Sequence, residues 1–338
     1  MNRIVMAGIS ALAAVVGASS VAGAQGAASL DALVAAAKKE GKVVFYNGTT
    51  RVIPTKIAEA FEKRYGIQVD ILHGTSSQTR ERISSEQASG RRIGDVVLNG
   101  IPSMYQFKQQ GFLAEHGALP NASKLVAPFQ SDGVMLPGSA GSFAILVNTD
   151  LVKPADYPKS WKDVTDPKWQ GKILLQDPRS GGGGYVFFGV LNDVLGRGYH
   201  EAIAKMKPEL ASDSQVAQRR AARGEFSLYL PMTITDYPNL RGLPVKAIVP
   251  EEGAPYITTA IAVIKDAPHP NAARLFANFL LDDEVQTIYA DAGARSSTGV
   301  KSDKFPPEDA AVYAPKLLAT TRPEEFNDVM KLSSEIYK

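Results

Sequence analysis

Four polar loops hold the side chains best suited to bind a ligand. Their sequences are NGTTR (47–51), HGTSSQTR (73–80), DPRSGGGG (177–184) and MTITDY (232–237). Each loop follows a segment typical of a strand and precedes, or can precede, a helix. Helix N-termini carry unpaired N–H groups and about half a positive charge, and Ser and Thr hydroxyls donate to carboxylate or phosphate oxygens. The residue types in these loops therefore indicate binding of a small anion.

The run of four glycines in the third loop has two possible roles. Residues 181–184 lie between a strand and the apolar sequence YVFFGVLNDVLG, which is typical of a helix. A flexible spacer would usually lead into polar residues, so the run favours a ligand-facing loop, in which glycine lets a ligand approach the backbone. Ser and Gly also cap helices where no ligand is bound, so a plain turn stays possible. No P-loop spacing occurs, and GxGxxG fails because Val186 occupies the third glycine position.

The sequence lacks the common catalytic and metal-binding patterns. It contains no cysteine, which excludes disulfides, a thiol nucleophile and a lipid-modified cysteine. The four histidines, at positions 73, 116, 200 and 269, are far apart, and neither HExxH nor GxSxG occurs. We therefore predict that the protein is not an enzyme and that it uses no cofactor and no metal.

The composition supports a large core and a balanced surface. Of 338 residues, 44% are hydrophobic, and 37 Lys and Arg stand against 35 Asp and Glu. This is enough apolar sequence for one large core or two lobes of ordinary size. The charge balance predicts no nucleic-acid partner and no membrane-binding face, and we expect a monomer.

The N-terminus has the features of an export signal. Residues 1–24 contain one basic residue, Arg3, then an apolar stretch that ends in the A-x-A sequence of residues 22–24. This pattern predicts a signal peptide over residues 1–24 and a mature chain that begins at Gln25. A transmembrane anchor is the alternative, but the stretch is rich in Ala and Gly and lacks a basic flank. Export without cysteine is typical of the periplasm of a Gram-negative bacterium.

Strands and helices alternate along the chain. The strand-like segments VVFYN, IQVDIL and GDVVLNG are each separated from the next by a polar loop and a helix, which predicts a parallel, helix-flanked α/β sheet. A second α/β section follows. The chain leaves the first section near residue 137 and returns near 258, so we predict two lobes joined by a hinge. Lobe 1 comprises residues 25–137 and 258–300, lobe 2 comprises 138–257 and 301–338, and the ligand cleft lies between them.

Several segments, taken in order, resemble a known family. They include LVAAAKKEGKVVFYNGTT, IAEAFEKRYGIQVDI, GSFAILVNTDLV, SWKDVTDPKWQGKILLQDPRSGGGGY and HPNAARLFANFLLDDEVQ. They are similar to the periplasmic solute-binding proteins of ABC importers, extracellular solute-binding family 1, in the branch of ferric-iron, phosphonate and sugar-phosphate binders. The resemblance implies a type II fold, with two α/β lobes that close on a ligand, and docking on a permease in the inner membrane.

The resemblance also bears on the ligand. Iron-binding relatives typically place a histidine after the first strand, a carboxylate after the DVV strand and adjacent tyrosines after the strand that matches EFSLYLP. This sequence has Thr50, Asn99 and a single Tyr237 there. Because ferric iron needs several anionic oxygen donors, we expect a small organic anion instead: a carboxylate, phosphate ester or phosphonate. The alternative is ferric iron held by Tyr237 and Tyr256 with a bound anion.

The resemblance, carried over residue by residue, gives a set of ligand contacts rich in hydroxyls and amides. The set is Thr49, Thr50, Ser76, Ser77, Asn99, Ser142, Arg179, Ser180, Gly181, Gly182, Thr233, Thr235 and Tyr237. Arg179 is a candidate for charge pairing with the ligand, and a structural salt bridge within its lobe is the other interpretation. Asp236 could hold a ligand amine or cap a helix. An enzyme or a sensor built on the same fold is the third hypothesis.

Overall fold

A computed structural model describes residues 30–49, 51–180 and 182–338. The predicted signal peptide and two predicted ligand contacts, Thr50 and Gly181, lie outside the described residues. Within those ranges, no helix is both long and apolar enough to cross a membrane.

The strands of the described residues form one connected sheet of 11 strands. They are β1 (Lys42–Asn47), β2 (Gln68–His73), β3 (Val96–Gly100), β4 (Leu113–Ala114), β5 (Leu136–Asn148), β6 (Ile173–Gln176), β7 (Glu209–Ala211), β8 (Leu228–Thr233), β9 (Val245–Ile248), β10 (Tyr256–Ile264) and β11 (Arg295–Ser296).

Helices connect most of these strands. They are α1 (30–40), α2 (Val52–Tyr65), α3 (Ser76–Ser89), α4 (Ile101–Gln109), α5 (Gly182–Leu195), α6 (Arg197–Lys205), α7 (Ser214–Ala222), α8 (Pro270–Leu280), α9 (Asp283–Asp291), α10 (Ala310–Tyr313) and α11 (Phe326–Ile336). Short 3₁₀ helices at Pro178–Ser180 and Ile234–Leu240 follow β6 and β8.

The first lobe is built on the sheet order β2-β1-β3-β10-β5, with β4 and β11 at its margins. Strands β1, β2 and β3 are parallel, and β10 runs antiparallel to β3. Apolar side chains from α2, α8 and α9 pack on one face, and side chains from α3 and α4 pack on the other. The strand–helix alternation predicted from the sequence is confirmed here, since α2 and α3 are the crossovers between parallel strands.

The second lobe contains the parallel strands β7, β6 and β8, with β8 and β9 antiparallel to β5. Its core is rich in aromatic side chains, among them Trp161, Tyr185 and Phe187, all at most 2% exposed. The C-terminal helix α11 packs against this core, so the chain end belongs to the second lobe.

One long strand passes through both lobes. The first half of β5 pairs with β10 as far as Ser142, and the second half pairs with β8 and β9 from Phe143 onward. The return crossing lies beside it, since the Phe143 N–H donates to the Pro255 carbonyl at 2.9 Å. We therefore propose hinge crossings at 142/143 and near 255/256, a few residues from the boundaries proposed from the sequence.

Candidate functional site

The first-lobe wall of the candidate site is the edge where β1, β2 and β3 end. Because these strands are parallel and in register, their C-terminal ends lie side by side. The loop after β1 leads into α2, Thr75 caps the N-terminus of α3, and α4 begins directly after β3. Three loops of the kind that binds ligands in open α/β sheets therefore meet at one edge.

Asn99 lies at the centre of this edge and is fully buried. Its Oδ1 accepts hydrogen bonds from the Gly100 N–H at 2.9 Å and from the Ser76 hydroxyl at 2.7 Å. Its Nδ2 has no partner. A Cβ at position 48 would lie 2.3 Å from that Nδ2, so only Gly48 allows the loop to pass over it. Asn99 therefore presents a buried, unpaired amide donor beneath the first loop.

Asn47 fixes the shape of the first loop. Its Oδ1 accepts hydrogen bonds from the Thr49 backbone N–H at 3.1 Å and from the Thr49 hydroxyl at 2.7 Å. Its Nδ2 lies 2.9 Å from His73 Nδ1 at the end of β2. The amide donates here, so His73 is neutral with its proton on Nε2. Burial and the nearby Arg51 lower the pKa of His73, in agreement with a neutral ring.

Ser142 lies at the hinge and carries a second unpaired group. The side chain is 3% exposed, and its hydroxyl has no hydrogen-bond partner. Ser142 pairs with Tyr256 of β10, and Asn99 pairs with Ala260 of the same strand. Since residues 256 and 260 share one face of β10, Asn99 and Ser142 point to the same side of the sheet.

In the second lobe, the glycine run brings α5 onto the end of β6. A Cβ at Gly184 would lie 2.6 Å from the Gln176 carbonyl oxygen, and one at Gly183 would lie 2.6 Å from Gln176 Oε1. Gly182 has a positive φ of 63°, which favours glycine. Close packing therefore requires the glycines, and it leaves the N-terminus of α5 exposed at Gly182.

Gln176, which sequence reasoning missed, carries a third unpaired polar atom. Its Oε1 is buried without a hydrogen-bond partner, next to the start of α5. The available signal was its position as the last residue of strand ILLQ, directly before the polar loop. Asn99 occupies a similar position, near the end of β3.

Arg179 is held within its own lobe. Its Nε and Nη2 bind the two oxygens of Asp177 at 2.9 and 2.8 Å, and its Nη1 donates to the Tyr337 carbonyl at 2.8 Å. The hydrogen bonds from Arg179 lower the pKa of Asp177. Arg179 thus forms the structural salt bridge that the sequence left open. The neighbouring Ser180 is exposed, and its hydroxyl donates to the Asp177 carbonyl at 2.8 Å.

The remaining predicted contacts lie in the loop after β8, where Tyr237 has different surroundings from Thr233 and Thr235. Thr233 pairs with Phe143, next to Ser142, and is half-buried, as is Thr235. The Tyr237 ring instead packs 6.1 Å from the Tyr313 ring. Burial raises the Tyr237 pKa, and a hydrogen bond to the Ala247 backbone opposes that shift. Tyr237 therefore lies at the margin of the second-lobe core.

In the described residues, His, Asp and Glu side chains do not gather into a metal site. Among them, no group of three or more His, Asp or Glu side chains could hold a metal ion. Asp236 accepts a hydrogen bond from Gln218 Nε2 at 2.9 Å, which gives that carboxylate a partner within its lobe.

The family follows from a comparison with known proteins. The sequence profile of the bacterial extracellular solute-binding proteins matches residues 42–295, most of the chain. The chain belongs to this family. The resemblance to periplasmic solute-binding proteins of ABC importers is thereby confirmed.

Individual relatives of this solute-binding protein are distant. It is 24% identical over 302 residues to a putative 2-aminoethylphosphonate-binding periplasmic protein of Salmonella typhimurium, covering 82% of this chain and 84% of the relative. The crystal structure of iron-bound HitA from Pseudomonas aeruginosa matches with a TM-score of 0.72 and 21% identity, covering 87% and 99% of the two chains. AfuA from Actinobacillus pleuropneumoniae, with fructose-6-phosphate bound, gives a TM-score of 0.63 and 22% identity, covering 88% and 96%. These likenesses show the two-lobed type II fold predicted from the sequence.

The solute-binding protein brings most of the predicted contacts into three groups. Thr49, Ser76 and Asn99 lie at the first-lobe edge, with Ser77 exposed beside them. Ser142 and Thr233 lie at the hinge. Ser180 and Gly182 lie at the start of α5 in the second lobe. Arg179 and Tyr237 have partners within the second lobe instead.

Proposed function

We propose that this solute-binding protein captures a small organic anion in the periplasm and delivers it to an ABC permease of the inner membrane. The anion carries a phosphonate, phosphate-ester or carboxylate group, and the protein acts as a monomer. The observation that carries this proposal is the pair of buried, unpaired groups at Asn99 and Ser142, which point to one side of the sheet.

Unpaired buried groups favour a ligand energetically. A buried donor without a partner costs about 1–3 kcal/mol. Oxyanion oxygens can accept from both the Asn99 amide and the Ser142 hydroxyl, so binding would recover these costs. The exposed N-terminus of α5 adds a positive dipole end from the opposite lobe. Contacts from both lobes would stabilise the closed state through a hinge motion.

The relatives divide between two ligand classes. The Salmonella relative is described as binding a phosphonate, and the AfuA structure contains a sugar phosphate, so both support a phosphorus oxyanion. The HitA structure contains iron, which keeps ferric iron as the alternative. Tyr237 packs against the Tyr313 ring, and Asn99 supplies an amide where iron requires anionic oxygens, so we rank the organic anion first.

A binding experiment separates the two ligand classes. The mature chain is unfolded and refolded to remove any retained solute, then titrated calorimetrically with inorganic phosphate, 2-aminoethylphosphonate, fructose-6-phosphate and ferric citrate. We expect saturable binding of at least one phosphorus oxyanion, and at least tenfold weaker binding by Asn99→Asp and Ser142→Ala. In Asn99→Asp, the introduced carboxylate would repel the anion while it keeps an acceptor for the Gly100 N–H.

Ser139→Ala is the matched control for the hinge serine. Ser139 lies on the same strand but on the opposite face, and its hydroxyl is already paired with Thr259 Oγ1 at 3.2 Å. The Ser139→Ala variant should bind the phosphorus oxyanion with the same affinity as the unmodified chain. Binding of ferric citrate alone, or equal affinities in all three variants, would reject the proposed ligand class.

We further propose that residues 1–24 direct export and are removed after Ala24. Expression of the full chain in a Gram-negative host should place a protein with N-terminal Gln25 in the periplasmic fraction. Retention of Met1 on a membrane-bound form would favour the anchor instead.

A further inference from the structure

A cavity of about 200 Å³ lies beside β11 and close to the loop after β8. Its walls include Ala290, Arg295, Lys301, Phe305 and Tyr313. None of the predicted ligand contacts lines it.

We call this space the hinge cavity, because its walls come from both lobes. Arg295 belongs to β11, which pairs with Ala140 in the first-lobe sheet. Tyr313 belongs to the buried second-lobe cluster that contains Ile234. The lobes are close at this point, because a Cβ on Gly293 would lie 3.2 Å from the Tyr313 ring and 3.5 Å from the Thr235 Cα.

The cavity is lined by two cations and no acid. The Arg295 Nε is buried without a hydrogen-bond partner. Among the described residues, neither Arg295 nor Lys301 forms an ion pair. The carboxylate nearest Arg295 along the chain, Asp291, is bound to Lys304 at 2.6 Å and to the Ser302 hydroxyl at 2.6 Å. A buried guanidinium nitrogen without an acceptor is costly, so this cavity favours an anionic occupant.

The rest of the lining is mostly apolar, with hydroxyls from Ser296, Ser302 and Tyr313. The rings of Phe305 and Tyr313 stack with centroids 3.5 Å apart and planes 9° from parallel, and Ala290, Ala294 and Ala310 complete the surface. The serine hydroxyls in the lining, from Ser296 and Ser302, already donate to Gln286 and Asp291.

We propose that the hinge cavity is a second binding site, which takes a small carboxylate with an apolar body and pairs its carboxylate with Arg295. A planar guanidinium matches a carboxylate in a two-point hydrogen bond. Both serine hydroxyls are already engaged, whereas the Tyr313 hydroxyl is buried without a hydrogen-bond partner and remains available to the bound carboxylate. The stacked rings and the alanines provide surface for the apolar body.

The test uses benzoate as the probe and benzamide as its neutral counterpart. The refolded mature chain is titrated with each and followed by ligand-observed NMR and calorimetry. We expect saturable benzoate binding, at least tenfold weaker benzamide binding, and at least tenfold weaker benzoate binding in Arg295→Gln. Arg295→Lys should bind at an intermediate strength, because it keeps the charge but loses the two-point geometry.

Two variants separate this site from the solute cleft. Arg51→Gln removes an exposed arginine of the first loop, and Ser142→Ala removes the hinge hydroxyl. Both should bind benzoate as the unmodified chain does. Weaker benzoate binding in either of them would place the probe in the solute cleft and overturn the proposal. Equal binding of benzoate and benzamide, or no loss in Arg295→Gln, would also overturn it. If Arg295→Gln does not fold, Arg295→Lys and Phe305→Ala carry the test, and full affinity in both would reject the site.

Discussion

The loop after β1 (the first wall) and the loop after β6 (the second wall) belong to different lobes, and they are held in place by different means. In the first lobe, side-chain amides hold the wall: Asn47 binds the Thr49 N–H and hydroxyl, and Asn99 binds Gly100 and Ser76. In the second lobe, the absence of side chains allows the packing, since the glycines at 183 and 184 bring α5 against β6. The first wall should therefore be sensitive to lost hydrogen bonds and the second to added volume.

The largest expected difference between the lobes is in how acid pH lowers stability, and it arises from His200 in the second lobe. His200 is fully buried, donates from Nε2 to the Phe188 carbonyl at 2.9 Å and lies 3.2 Å from the Tyr337 hydroxyl. Burial lowers its pKa from 6.5 to about 3. Above pH 6.5 both folded and unfolded states are neutral there. Below pH 6.5, His200 is protonated in the unfolded chain but stays neutral in the folded chain. The free energy of unfolding therefore falls by about 1.4 kcal/mol per pH unit until about pH 3.

Urea unfolding of His200→Gln between pH 7 and 4 measures this effect. The variant should lose less stability over that range than the unmodified chain, although it starts lower. His73→Gln is the first-lobe comparison. Burial, with Arg51, lowers the His73 pKa as well. The sign is therefore the same, but we expect a smaller change, because His73 is only half-buried. Parallel pH profiles for His200→Gln and the unmodified chain would contradict the prediction.

The second largest expected effect is that of Gly184→Ala, which tests whether the packing of α5 against β6 in the second wall leaves room for a side chain. The new Cβ would lie 2.6 Å from the Gln176 carbonyl oxygen and 2.7 Å from that of Asp177. Both neighbours are backbone carbonyl oxygens, which cannot relieve the clash by a change of side-chain rotamer. We therefore expect a loss of about 3 kcal/mol in the free energy of unfolding.

Gly198→Ala is the matched control for Gly184→Ala. Gly198 also lies in the first turn of a helix, and a Cβ there meets nothing within 4 Å. It should raise stability by up to about 1 kcal/mol, since alanine favours helix. Equal urea midpoints for the two variants would show that the glycine run is not set by packing.

How far the sequence predicts this site depends on whether a feature is local. The strand–helix alternation and the position of Asn99 follow from nearby residues, so they could be predicted. Gln176 was missed because its unpaired oxygen arises where α5 meets β6 and the Phe143 ring, which lies on another strand. The role of Arg179 was left open because one of its partners, the Tyr337 carbonyl, is 158 positions away.

The hinge position shows the same limit. The segment Leu136–Asn148 is one unbroken strand, almost all of it buried, so no change in pattern marks where it passes between the sheets. Only the pairing partners reveal the crossing, and these are residues of β8, β9 and β10, later in the chain. The sequence therefore predicts two lobes, whereas the crossing that we propose between Ser142 and Phe143 rests on strand pairing alone.

The third effect in size tests the first wall through Asn99→Ala. Truncation leaves the Gly100 N–H and the Ser76 hydroxyl without their shared acceptor, Oδ1. We expect a loss of about 2 kcal/mol in the free energy of unfolding, the usual cost of a buried donor left unpaired. Asn99→Asp keeps the acceptor, so its stability should lie between those of Asn99→Ala and the unmodified chain, as measured by urea unfolding at pH 7. A loss as small as that of exposed Ser77→Ala would show that the amide network does not hold this wall.

The smallest expected effect is that of Gln176→Met, which should separate stability from binding in the second wall. The Gln176 Oε1 has no hydrogen-bond partner, so an apolar side chain of similar length removes an unpaired buried acceptor and breaks no bond to that atom. The free energy of unfolding in a urea titration should therefore change by less than about 1 kcal/mol, because the recovered desolvation cost of the polar atom offsets any loss of fit. Solute affinity should respond differently. If the solute carries an amine or hydroxyl that donates to Oε1, calorimetry will show weaker binding at unchanged stability, whereas a solute with acceptors only will bind as tightly as before. A large loss of stability would instead mean that Gln176 supports the wall as Asn99 does, and the difference between the two lobes would not hold.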